Sequence, residues 1–140
     1  MINVSLLIAA FIALAAVSLH VYTMEVWIWP KLNAECFPSF PFGGPNTVKG
    51  FYRTVWHFFT VNFITTIVVC VAVGVGYLIP YGLLFIYFLI FFWILIVIEI
   101  FLVAALSLGP GESYIKQMIK AYQWVILLVM IFFMYRGTQP

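Results

Sequence analysis

Few residues in this chain can do chemistry, and those that can lie where water is scarce. Of 140 residues, six are Lys or Arg, four are Asp or Glu and two are His. His20, His57 and Glu99 stand inside long apolar stretches, and Gln123 is the corresponding polar residue of a fourth, at about the depth of Glu99. Two imidazoles and a carboxylate form a competent ligand set for a divalent transition metal such as zinc, iron or copper, with Gln123 or water completing the shell. The two histidines would alternatively serve as axial ligands to haem b, a use that sits awkwardly beside Glu99. With no ligand at all, Glu99 would pair with a histidine and lock the helices together. Proton or substrate handling would use the same groups.

The surroundings set the cost of these residues. The chain is 66% hydrophobic and 7% charged, with a mean hydropathy of +1.19. A soluble domain carries about 25% charged residues, so this chain cannot clothe itself for water. Four stretches hold the roughly 20 apolar residues that span hydrocarbon as a helix: Val4 to Trp29, Arg53 to Ile79, Gly82 to Ser107 and Ser113 to Tyr135. Their separators are helix breakers, namely the proline-rich Pro30 to Pro45, the turn at Ile79-Pro80-Tyr81-Gly82, and Gly109-Pro110-Gly111, with Ser113 as an N-cap. The expected fold is all-α, an integral membrane four-helix up-down bundle forming a single transmembrane domain over residues 1–140. No basic residue precedes the first apolar stretch, so that segment reads as a retained helix.

Lys31, Lys49, Arg53, Lys116 and Lys120 fall on one side of such a bundle and Arg136 on the other. Basic residues beside short loops mark the cytoplasmic face, which would leave both termini outside the cytoplasm. Trp27, Trp29, Tyr52 and Trp56 would form the cytoplasmic aromatic belt, and Tyr77, Tyr81 and Tyr135 the opposite one.

Helical spacing aims the polar groups. Ser5, Ala9, Ala13, Ala16 and His20 share a small-residue stripe of the kind that lets backbones approach, and Thr54, His57, Val61, Thr65, Ala72 and Gly76 share another. Both histidines are therefore expected inside the bundle near the depth of Glu99. That glutamate lies about 12 Å before the cytoplasmic end of its helix. Glu25, five residues beyond His20 and rotated away from it, reads as a headgroup-level charge near Lys31 or Arg53. Asn62 is expected to hydrogen-bond a neighbouring helix.

The run His20-Val-Tyr-Thr-Met-Glu25, then Trp29-Pro30-Lys31-Leu32, then Arg53-Thr-Val-Trp56-His57, resembles a group of short bacterial four-span membrane proteins. Those share a helix 1 histidine, a glutamate five residues later, a proline-leucine exit and a helix 2 Trp-His pair. The resemblance covers about the first half of the chain. It implies the architecture and a bacterial inner membrane, draws Glu25 and Trp56 in beside His20 and His57, and names no chemistry.

The net charge of +2 and the absence of a basic run give no footprint for nucleic acid. Cys36 and Cys70 lie in different settings and make no disulfide framework. No nucleophile elbow, phosphate loop, HExxH or CxxC is present. Beyond the lipid bilayer, the expected partners are copies of itself or a larger membrane complex. The leading expectation is an intramembrane site in which His20, His57 and Glu99 bind a transition metal or redox cofactor, with Glu25, Gln123, Asn62 and Trp56 around it. A non-catalytic accessory subunit and an oligomeric proton-coupled transporter are the alternatives.

Overall fold

Lipid offers the backbone no hydrogen bonds, so a chain this apolar must satisfy its peptide groups internally. The computed structural model describes residues 2–39, 41, 43–77, 81–106, 108–109, 113–120 and 123–140, the side chains of residues 117, 118 and 120 apart. The elements among them are all helical. Helix α1, Val4–Tyr22, passes into a π-helical turn, Thr23–Ile28, and a 3-10 turn, Trp29–Lys31; another 3-10 turn covers Ala34–Cys36. Then come α2, Pro45–Gly74; α3, Tyr81–Leu106; α4, Tyr114–Lys120; and α5, Gln123–Thr138.

Three stretches are long and apolar enough to cross a membrane: Val4–Lys31, Pro45–Gly74 and Tyr81–Leu106. The stretch expected to be a fourth span is carried by α4 and α5, of 7 and 16 residues. Alone, α5 covers about 24 Å, short of the roughly 30 Å of hydrocarbon. Residues 121 and 122 between them lie outside the described residues, as do Ile79-Pro80, Ser107 and Pro110-Gly111 of the expected turns and span ends. Ser113 directly precedes α4.

The helix ends follow from local chemistry. Asn3 caps α1, its Oδ1 accepting the Leu6 amide at 3.2 Å. Pro45, whose fixed φ suits a first helical position, opens α2, and the amides of Thr47 and Val48 reach the Gly44 carbonyl at 2.9 and 3.2 Å. At the far end, Gly76 takes a φ of +86° and donates to the Val73 carbonyl, while Tyr77 donates to Ala72. This paired return of amides onto the last turn needs a residue free to enter left-handed space, which glycine is.

The chain packs as two units, Met1–Ile12 with Thr66–Pro140, and Ala13–Thr65. In the first, Ile86, Leu89, Trp93 and Val97 of α3 are buried at spacings of three and four, as are Leu127, Met130 and Met134 of α5, and the two helices pack together. Trp93 donates from Nε1 to the buried Thr66 hydroxyl at 3.0 Å, so each polar atom finds a partner in an apolar core. Asn3 ties three segments, its amide bonding to Gly74 O at 2.8 Å and its Nδ2 to Gly137 O at 2.7 Å.

In the second unit Ala13, Ala16, Val17, Met24, Trp29, Val48 and Phe63 are buried. The alanine stripe of α1 is therefore covered as its spacing predicts. The stripe read on α2 is not: Thr54, Val61 and Thr65 are exposed, and the buried positions are Val48, Phe63, Thr66, Cys70, Val73 and Gly74. Burial on α2 thus falls on a different face from the small residues, and includes Gly74, against which Leu7 of α1 packs.

Gly137 makes the tightest approach: a Cβ there would stand 2.5 Å from Leu6 Cγ and Cδ2. Gly137→Ala is expected to cost about 1–3 kcal/mol in detergent unfolding, as overpacking does. Gly50→Ala, with nothing within 4 Å of the added carbon, should be neutral or stabilise by up to about 1 kcal/mol. Equal stability of the two variants would contradict this packing.

Candidate functional site

The ordinary α-turn stops where the chemistry begins. From Thr23 to Ile28 α1 widens into a π-turn, in which the Trp29 amide donates to the Met24 carbonyl five residues back. Such turns are rare, occur mostly singly inside α-helices and concentrate at functional sites. Glu25 lies in this turn.

Its carboxylate is held from three directions. Arg53 donates through Nε to Oε1 at 3.2 Å and through Nη2 to Oε2 at 2.5 Å, the paired geometry that a planar guanidinium offers a carboxylate. His57 Nε2 lies 3.2 Å from the same Oε1. Arg53 and His57 are one turn apart on α2 and so share a face. The side chains of Glu25, His57 and Arg53 are 27%, 44% and 49% exposed, leaving the cluster half-open.

A carboxylate can only accept here, so His57 presents Nε2 as the donor and leaves Nδ1 for another partner. This is the arrangement by which a carboxylate orients a working imidazole, whether the free nitrogen takes a proton or ligates a metal.

Aromatic residues buttress the cluster. The Trp29 ring is buried, with Lys49 Nζ 5.6 Å and Arg53 Cζ 6.0 Å from its centroid. Lys49 also donates to the Leu32 carbonyl. The two cations, four residues apart on α2, thus hold the chain beyond Pro30 through charge, ring and backbone. His20 stacks on Trp56, with centroids 4.3 Å apart and planes 8° from parallel, and its Nε2 donates to the Trp56 carbonyl at 3.3 Å. Phe59 and Phe63 stand 6.4 and 5.9 Å from the same imidazole. Trp56 Nε1 and Thr60 Oγ1, one turn apart, are buried without a hydrogen-bond partner among the described residues.

Of the residues singled out in the sequence, His20, His57, Glu25 and Trp56 come together in the second unit. Glu99 and Gln123 belong to the first unit, where both are exposed. Asn62 donates to the Phe58 carbonyl of its own helix at 2.8 Å. Among the described residues, no group of three or more His, Cys, Asp and Glu side chains is placed to hold a metal ion.

Glu25 was expected beside Lys31 or Arg53. Arg53 is its partner, and His57 is a second one that α-helical periodicity did not reveal, because the π-turn shifts the register between His20 and Glu25. Of the expected belt, Trp27 and Tyr52 are exposed, while Trp29 is buried under cations and the half-buried Trp56 stacks on His20. The roles of Lys49 and Trp29 were missed. The signal available was the spacing of Lys49, Arg53 and His57 by four along α2, a row of polar groups on one face, of which Arg53 and His57 meet the carboxylate and Lys49 meets Trp29 and the Leu32 carbonyl. No family model, curated protein or solved structure matches the chain, so its own geometry carries the functional reading.

Glu25→Gln removes the charge that fixes the His57 tautomer. In nitrogen-15 spectra of the folded protein at high pH, His57 should change from a single Nε2–H tautomer to a mixture, while His20, bonded to a backbone carbonyl, stays unchanged. An unaltered His57 signal would show that the carboxylate does not orient it.

Proposed function

We propose that the chain is a four-crossing membrane protein of the bacterial inner membrane that exchanges protons at His57 and works as an oligomer. The observation that carries the reading is the sharing of the Glu25 carboxylate between Arg53 and His57. Arg53 fixes Glu25, Glu25 fixes the imidazole, and the free Nδ1 is the group that accepts and returns a proton. Histidine suits this work because its ordinary pKa lies close to neutrality. Trp56 Nε1 and Thr60 Oγ1 add two buried polar atoms beside His57 in the chain. Leaving such groups unpaired costs about 1–3 kcal/mol each, which favours a polar occupant, such as water, at this point.

The four-crossing arrangement draws support from Asn3, which brings the start of α1, the end of α2 and the end of α5 to one end of the first unit. An even number of crossings does the same. Lys31, Lys49, Arg53 and Lys116 belong to the opposite helix ends, which the charge rule assigns to the cytoplasm, with both termini outside. The exposed rings of Trp27 and Tyr52 suit an interface at that level.

A second reading has the His57 Nδ1 ligating a transition metal, with His20 nearby in the same unit. It is favoured by the Glu25–His57 contact itself, since metal-bound histidines characteristically give their other N–H to a carboxylate.

Proteoliposomes carrying an internal pH-sensitive dye separate the two. Parent protein should dissipate a pH gradient, His57→Ala should abolish the flux and Glu25→Gln should slow it, with elemental analysis finding no stoichiometric metal. Equal flux from His57→Ala and parent would overturn the proton reading. Bound zinc, iron or copper that His57→Ala loses would establish the metal one.

For orientation, Cys36 is exposed and Cys70 is buried. A membrane-impermeant thiol reagent is expected to leave Cys36 unlabelled in intact cells and to label it after permeabilisation. Labelling in intact cells would invert the topology.

A further inference from the structure

We infer that Trp56 Nε1 and Thr60 Oγ1 hold one buried water against Nδ1 of His57, and that this water hands the imidazole its proton. The inference rests on the proton reading of His57 and adds the route by which the proton reaches it.

Helix α2 sets the three groups side by side. At 100° per residue Thr60 lies about 40° and His57 about 100° around the helix from Trp56, so Thr60 stands between the two. Thr60 is four residues beyond Trp56 and three beyond His57, the spacings at which helical side chains are neighbours. Trp56 Nε1 and Thr60 Oγ1 are buried without a partner among the described residues, and none of those residues bonds His57 Nδ1.

The backbone explains why the Thr60 hydroxyl is left over. A threonine inside a helix can return its hydroxyl to the carbonyl four residues earlier, as Thr54 does to Gly50 at 3.1 Å and Thr65 to Val61 at 2.9 Å. For Thr60 that carbonyl belongs to Trp56. The helix's own amide uses one of its lone pairs, and His20 Nε2 donates to it at 3.3 Å. By stacking on Trp56 and taking this acceptor, His20 frees a hydroxyl that α2 would otherwise keep to itself.

The donor types identify the occupant. Trp56 Nε1 can only donate, so the occupant accepts, which excludes a bare cation. Neutral His57, with Nε2 donating to Glu25, offers Nδ1 as an acceptor, so the occupant also donates, which excludes an anion without protons. Thr60 does either. Both protein atoms are covered, so the occupant is small, and water meets all three demands with the two to four polar partners that buried waters have. In the transfer, an O–H bond of this water breaks as the Nδ1–H bond forms, while bulk water gives the held molecule a replacement proton. The net change is one proton on His57, whose charge Glu25 already faces.

The test uses the full chain. With nitrogen-15 in the indoles, the Trp56 Nε1–H of the detergent-solubilised protein should show magnetisation transfer from a bound water. Thr60→Val should abolish that transfer and shift the Trp56 signal, leaving unmoved the signal of Trp93, whose Nε1 donates to Thr66 at 3.0 Å. Stability adds a sign: Thr60→Val should unfold at lower denaturant than the parent, because it strips a partner from the water, whereas losing a hydroxyl that bonds to nothing would raise the midpoint. In proteoliposomes Thr60→Val should slow proton flux about tenfold, near the upper worth of one hydrogen bond, and Thr60→Ser should recover it. Thr65→Val, whose hydroxyl only returns to its own helix, should alter neither flux nor the Trp56 signal.

A Thr60→Val protein that is more stable than the parent, or a parent indole with no transfer from water, would overturn the bound water. Unchanged flux in Thr60→Val, with flux abolished in His57→Ala, would overturn the relay and leave the proton reading standing. A parent that dissipates no gradient would instead remove the proton reading and the relay with it, while the indole signal and the sign of the stability change still decide the water.

Discussion

A carboxylate in apolar surroundings must gather donors, and the second unit is organised by how Glu25 does so. Its two oxygens take the Arg53 fork and the His57 imidazole, and no other carboxylate among the described residues is engaged in this way. Charge-assisted bonds of this kind are short and directional, so satisfying Glu25 fixes the rotation of α2 relative to the end of α1. Everything beside the carboxylate follows from that rotation. Trp56 comes against His20, and Lys49 and Arg53 come against the Trp29 ring.

The π-turn is what makes the gathering possible. Had α1 continued as a regular helix through Thr23–Ile28, the residues beyond His20 would have kept the rotation that its alanine stripe sets, and Glu25 would have pointed elsewhere. Widening one turn changes that rotation without breaking the chain's hydrogen bonding. The segment can then close against α2 through the Lys49 contact with the Leu32 carbonyl, just past Pro30. The histidines consequently serve different purposes: His20 is stacked and bonded to a backbone carbonyl, a structural setting, while His57 is half-exposed with a nitrogen free.

The first unit solves the same problem of polar groups in a dry setting by other means. Thr66 and Trp93 pair inside the core, and Asn3 satisfies backbone groups from three segments at once. Gly74 and Gly137 let that knot form by admitting Leu7 and Leu6 closer than a side chain would allow. Glu99, exposed on α3, is a polar group on which no such arrangement acts among the described residues.

The amino-acid sequence by itself determined that the chain is helical and apolar, where the long helices run, and which residues carry an unusual cost. All of these follow from composition and from breakers such as Pro30, Pro45 and Gly76, which act over a few residues. It also marked the buried stripe of α1, because alanines at spacings of three and four permit close approach whatever lies opposite. Only the tertiary structure decided which costly residues meet. Periodicity assumes one constant rotation per residue, and the π-turn at Glu25 breaks that assumption, so the pairing with His57 was not legible. The inward face of α2 was also misread, since burial falls on Val48, Phe63, Thr66, Cys70, Val73 and Gly74 and not on the row through Thr54, Val61 and Thr65. Glu99 was expected to turn inward because an unpaired carboxyl is costly, yet burial belongs to the face that α3 gives to its neighbours. Sequence fixes the cost of a polar side chain, whereas the packing of the surrounding helices selects the groups that relieve it.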